Sequence, residues 1–241
     1  MIDWDYDKNG FPALTKHNVD LVQFIIKNDS NYRVATDPTN SKSSAYIFEN
    51  YKKSGSYPKS RADFQKICKR IDKENVTHLS VKNGIEITAG ALCKMTGLDA
   101  DLCRGDASIV DVISKFVPGR NNLSFASKFC AFYSLGIYGK DNYSIFDRVL
   151  KDALPYYAWA YCGVKCFTKS KNSNLSNKNV SKSGYAGYRQ LIDDILKKAT
   201  SITGYSMRRR DFDLIVWYYF KGDKGRLKKT QGHLGVAGSL I

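Results

Sequence analysis

Apolar residues return at helical spacing in one segment after another of this 241-residue chain, and that periodicity restricts the fold to packed helices. Val19, Val22, Phe24, Ile25 and Ile26 predict a first helix after Lys16-His17-Asn18, and Ala45, Ile47, Phe48 and Tyr51 a second that stops near Gly55. Ser60 with Asp63 reads as a capping box opening a third, which carries Phe64, Ile67 and Ile71. A short helix is expected from about Ala89 to Met95, ending at Gly97. Ile109, Val110, Ile113 and Phe116 mark the next, closed by Pro118-Gly119. Helices over 124–135 and 145–161 flank a polar loop at 136–144, and Pro155 is expected to kink the second or mark its boundary. Tyr185, Tyr188, Leu191, Ile192, Ile195 and Leu196 define another helix. Ser206 is a candidate cap for the last, which carries Phe212, Ile215, Val216 and Tyr219. The expected class is all-α, with one interruption. Leu79 to Val81 and Ile85 to Ile87 flank Lys82-Asn83-Gly84, and Asn-Gly favours a tight β-hairpin turn. Residues 168–184, rich in Lys, Asn and Ser, read as a linker, and the tail from Lys221 is glycine-rich and basic.

The balance of charge narrows the partners. Lys and Arg total 38 against 23 acids, a formal charge of +15. Such an excess suits a polyanion, with nucleic acid first and an acidic membrane surface second; the bland alternative is a solvated basic surface. No apolar run approaches the roughly 18 residues of a membrane span. The start, Met1-Ile2-Asp3-Trp4-Asp5, lacks a signal-peptide core, so a cytoplasmic protein is expected. The six cysteines form no C-x-x-C pair, and Cys162 and Cys166 are spaced for one helix face. They are expected to be small buried hydrophobes. His17, His78 and His233 are scattered without metal spacing. No Walker loop, deaminase signature or paired-carboxylate nuclease motif is present, and no cofactor or metal is expected.

Two residues carry a candidate chemistry. Lys128 and Asp147 lie 19 positions apart, in Ser127-Lys128-Phe129-Cys130 and Ile145-Phe146-Asp147-Arg148. An amine that attacks a deoxyribose C1′ as the base departs must be uncharged, and an apolar setting favours that form. Phe125, Phe129 and Phe132 flank Lys128. A carboxylate can stabilise the cationic sugar, and Asp147 opens a helix where backbone amides hold it. On spacing alone, a surface lysine and a capping aspartate fit equally well.

At these residues the chain resembles the helix-hairpin-helix DNA glycosylase superfamily, in its 8-oxoguanine glycosylase-like branch with a lysine nucleophile. Residues 109–116 correspond to the first helix, 117–123 to the hairpin, Lys128 to the catalytic lysine and Asp147 to the catalytic aspartate. Segments 185–200 and 208–220 resemble the closing helices. The hairpin departs from the family: Ser124 and Ala126 stand where Gly-x-Gly is usual. The resemblance implies a two-lobed fold with the DNA cleft between the lobes. One lobe would be 51–144, with the hairpin and lysine, and the other 1–50 plus 145–241. It implies a monomer acting on double-stranded DNA that contains a damaged or modified base, excising an oxidised purine-like base and then cutting the strand by β-elimination. Candidate DNA contacts are Arg120, Asn121, Ser124, Arg148, Arg208 and Arg209, with Lys165 and Arg210 nearby. Candidates for the base pocket are Phe125, Trp159, Trp217 and Phe220. Two alternatives keep the fold: an antiviral glycosylase for hypermodified phage DNA bases, and a catalytically silent DNA-binding protein.

Overall fold

The computed structural model describes residues 3–28, 44–163 and 177–221. These residues are mostly helical, and no strand occurs among them; the one β feature is an isolated bridge between Tyr6 and Pro12. Cys166, Lys165, His233, residues 168–176 and the tail beyond Lys221 lie outside the described residues. The chain divides into two compact units. One is Met1–Phe24 with Phe146–Ile241, and the other is Ile25–Ile145.

In the unit Ile25–Ile145 the helices are α2 (Ser44–Lys53), α3 (Arg61–Asn75), α4 (Gly84–Lys94), α5 (Leu98–Arg104), α6 (Ser108–Ser114) and α7 (Leu123–Tyr138). The division falls inside α1 (Lys16–Asn28). Helix α7 is buried almost all round, the mark of a helix that others pack upon, and α2, α3, α5 and α6 all contact it. Phe48 on α2 meets Phe129 and Tyr133 on α7. Residues 44–50 therefore belong with the lysine-bearing unit, whereas the sequence reading assigns them to the other lobe. The capping box forms as expected: Ser60 Oγ accepts from Asp63 N–H, and the Asp63 carboxylate accepts from Ser60 N–H.

Three expectations for this unit need correction. The β-hairpin is absent. Lys82 and Asn83 take left-handed conformations, as an Asn-Gly turn favours, but helix α4 starts at Gly84. Ile85, Thr88, Ala89 and Leu92 are buried at helical spacing, and burying that stripe outweighs strand pairing. A helix absent from the expected set, α5, lies between Gly97 and Gly105; it buries only Leu98 and Leu102, too few to mark a periodic stripe. Helix α7 runs past Gly136 to Tyr138, and Gly139, at φ 66°, ends it. Of the five described cysteines only Cys68 and Cys130 are buried, and Cys93 is exposed.

Gly84 makes a sharp test of this corner. A Cβ there would lie 2.1 Å from Leu79 O and 3.2 Å from Val117 Cγ2, whereas one at Gly90 meets nothing closer than 3.8 Å. Gly84→Ala is expected to destabilise the protein by about 2–3 kcal/mol, as overpacking does. Gly90→Ala, inside the same helix, is expected to be stabilising by about 0.5 kcal/mol. Urea unfolding midpoints check both, and equal effects at the two sites would refute the packing of Gly84 on the 79–83 turn.

The other unit joins the N-terminal segment to α8 (Arg148–Cys162), α9 (Asn177–Thr203) and α10 (Arg209–Lys221). Both α9 and α10 pack on α8. Asn18, fully buried, organises the segment: its Oδ1 accepts from Asp5 N–H, and its Nδ2 donates to Asp5 O and Ala13 O. Tyr157 is buried and donates to Pro12 O at 3.1 Å. Its ring meets Phe212 edge-on. Pro155 lies inside α8, which continues beyond it to Cys162. Residues 177–183, expected as linker, are helical, and the break comes at Gly184 (φ 67°, ψ 176°). Ser206 does not cap α10; it is exposed, and Asp211 accepts instead from the backbone of Arg208.

Candidate functional site

The α6–α7 connection folds as a closed loop. Asn122 N–H donates to Ser114 O at 2.8 Å, and Arg120 N–H to Val117 O at 3.1 Å. Gly119, at φ 71°, supplies the left-handed turn after Pro118. Arg120 is tied down, its Nη1 donating to Val81 O at 3.1 Å. Asn121 is exposed. Asn122 occupies the N-cap of α7 without bonding its first amides, and its Nδ2 is buried without a hydrogen-bond partner.

Six residues further on, Lys128 is buried, with only 6% of its surface exposed. Ser124 sits one helical turn before it on the same side, and Lys128 Nζ donates to Ser124 Oγ at 3.0 Å. Phe125 and Phe129, both buried, stack with centroids 6.1 Å apart. A lysine amine in such surroundings is rare, because burial disfavours the ammonium form. Phe125, a base-pocket candidate, is buried, with Phe129 against its ring.

Asp147 is the N-cap of α8, in extended backbone, with Oδ1 accepting from Leu150 N–H at 2.9 Å. It keeps part of its surface in solvent. Arg148 is exposed, with Nε 3.8 Å from Asp152 Oδ2. Asp152 went unseen in the sequence. Burial pushes its carboxyl up, opposed by Lys151 and Arg148 and reinforced by Asp147. Its only sequence signal is the four-residue step from Arg148.

The remaining candidates divide. Arg208 pairs with Asp211 through Nε and Nη2, at 2.9 and 2.8 Å, and Arg209 pairs with Asp193 in the same forked way, at 2.7 and 2.8 Å. Both guanidinium forks, at the start of α10, hold carboxylates, Asp211 on α10 itself and Asp193 on α9, and so brace this helix start. Phe220 is fully buried among Phe11 and Tyr219. Trp159 and Trp217 stay partly exposed, beside Tyr156 and Tyr218 respectively. Among the described residues no group of three or more His, Cys, Asp or Glu side chains is placed to hold a metal ion.

No protein-family model, curated protein or solved structure matches this chain. The functional reading therefore stands on the residues themselves. Among the described residues no helix is long and apolar enough to cross a membrane.

Proposed function

We propose that the chain is a DNA glycosylase with β-lyase activity, of two-lobed helix-hairpin-helix type, that removes a damaged or modified base through a Lys128 Schiff base. The single observation behind this reading is the burial of the Lys128 side chain, hydrogen-bonded through Nζ to Ser124 Oγ, on the helix that follows a closed loop. An uncharged amine is a nucleophile, and burial is one of the ways a protein favours that form.

The chemistry runs as follows. The Nζ lone pair attacks C1′, and the C1′–N bond breaks with its electrons leaving on the base. The resulting ammonium gives up one proton, O4′ takes one up as the C1′–O4′ bond breaks, and the ring-opened product is a protonated Schiff base that keeps one N–H. Loss of a C2′ proton then expels the 3′ phosphate. Asp147 stabilises the cationic sugar and relays protons. Its carboxylate is oriented by the Leu150 amide, which leaves one oxygen outside that bond.

An abasic duplex tests the reading without knowledge of the natural base, since lyase chemistry needs only the sugar aldehyde. In chelator, with borohydride present, the full chain is expected to form a covalent protein–DNA adduct, and without borohydride to nick the strand. Binding to the abasic duplex with neither product would overturn the proposal in favour of a silent DNA-binding protein. A panel of modified-base duplexes, hypermodified phage bases included, then identifies the base.

A further inference from the structure

Helix α3 is amphipathic in an unusual way. Phe64, Ile67, Cys68 and Ile71 are buried, while Lys66, Lys69 and Lys73 are exposed on the other side. The 66–69 and 69–73 steps place like charges next to each other on the helix surface, which weakens a helix. Among the described residues no ion pair on α3 ties up Lys66, Lys69 or Lys73, although its acids remain charged. Its three acids are all engaged elsewhere. Asp63 accepts from Ser60 N–H and Oγ and from Tyr51 Oη; burial raises its carboxyl, but these bonds and one from the Lys59 amide outweigh that and lower it to about 2. Asp72 accepts from Thr77 Oγ1, Leu79 N–H and Ser80 N–H, and so pins the turn after the helix. Glu74 pairs with Arg70. Lys59 and Arg61, also exposed, extend the positive charge to the start of the helix, against its dipole. Lys94 adds to it from α4, next to Cys93, whose Sγ donates to Lys59 O.

We propose that this face of α3, with Lys66, Lys69 and Lys73 at its centre, docks on the phosphodiester backbone of duplex DNA outside the reacting nucleotide. From residue 66 to 73 the helix rises about 10 Å, which spans about three phosphate intervals of one strand. Charge complementarity selects a polyanion. Duplex DNA suits it better than an acidic bilayer, because all four apolar side chains that could insert into lipid face inward. The inference rests on duplex DNA being the partner, but not on Lys128 being the nucleophile.

The test compares the full chain with the Lys66→Gln/Lys69→Gln/Lys73→Gln variant on an undamaged duplex over a range of salt. Each lost phosphate contact lowers the slope of log K against log salt by about 0.9, so a drop of about 2–3 is expected, with affinity roughly 10-fold or more weaker at low salt. The triple Lys→Arg variant is expected to keep the parent slope, which separates charge from misfolding. At saturating abasic DNA the glutamine variant is expected still to form the borohydride adduct. An unchanged slope would overturn the docking strip while leaving the glycosylase reading intact. A parent chain that binds no duplex would overturn both. Loss of binding to phosphatidylserine vesicles, with DNA binding unaltered, would reassign the face to a membrane.

Discussion

Lys128→Gln is expected to abolish borohydride trapping on an abasic duplex and to slow strand cleavage roughly 10³-fold or more, the scale on which loss of a covalent nucleophile acts. The substitution is chosen for shape. Glutamine is close to lysine in length and apolar in its stem, and its amide can still donate to Ser124 Oγ, which now accepts from Lys128 Nζ. Helix α7 and the stacked Phe125–Phe129 pair are expected to persist. Binding to the abasic duplex is expected to stay within a few-fold of the parent. A trapped adduct that persists in this variant would place the nucleophile elsewhere and remove Lys128 from the chemistry.

Asp147→Asn is expected to slow base excision roughly 10²–10³-fold, the size of effect seen when one electrostatic partner of a transition state is lost. Its value lies in what it leaves untouched. Asp147 caps α8 through Leu150 N–H, and asparagine caps a helix as well as aspartate does. Stability is therefore expected to match the parent. Asp147→Ala loses the cap as well, and is expected to cost about 1 kcal/mol in addition to the rate. Single-turnover excision and urea unfolding of both variants separate the roles. Near-parental excision by Asp147→Asn would leave the residue a cap and nothing more.

Much of the architecture was readable residue by residue. The Ser60–Asp63 capping box, the cap at Asp147 and the stripe formed by Phe64, Ile67 and Ile71 each depend on residues within a turn or two of one another. Local spacing reports such features directly. The 79–87 segment misled for the same reason: Asn-Gly set the local backbone as expected, but the stripe Ile85, Ala89 and Leu92 had a buried surface to join, so a helix followed. Ser206 and Arg208 compete for the last helix start, and the choice fell to Asp211, a buried acid three residues beyond Arg208. The arginine run at 208–210 shows no partners in its local sequence, and only the fold brings Asp193 into one of its forks, beside Asp211 in another.

Periodicity and cap chemistry thus made this chain helical and put Lys128 and Asp147 on successive helical segments. Burial and charge pairing are different in kind, because they depend on residues distant in sequence. That Lys128 is buried, that Phe125 and Phe220 are core, and that Asp193 meets Arg209 all follow from which helices pack together. Free energy sets that outcome through the sum of many long-range contacts, and no short window of sequence contains the sum.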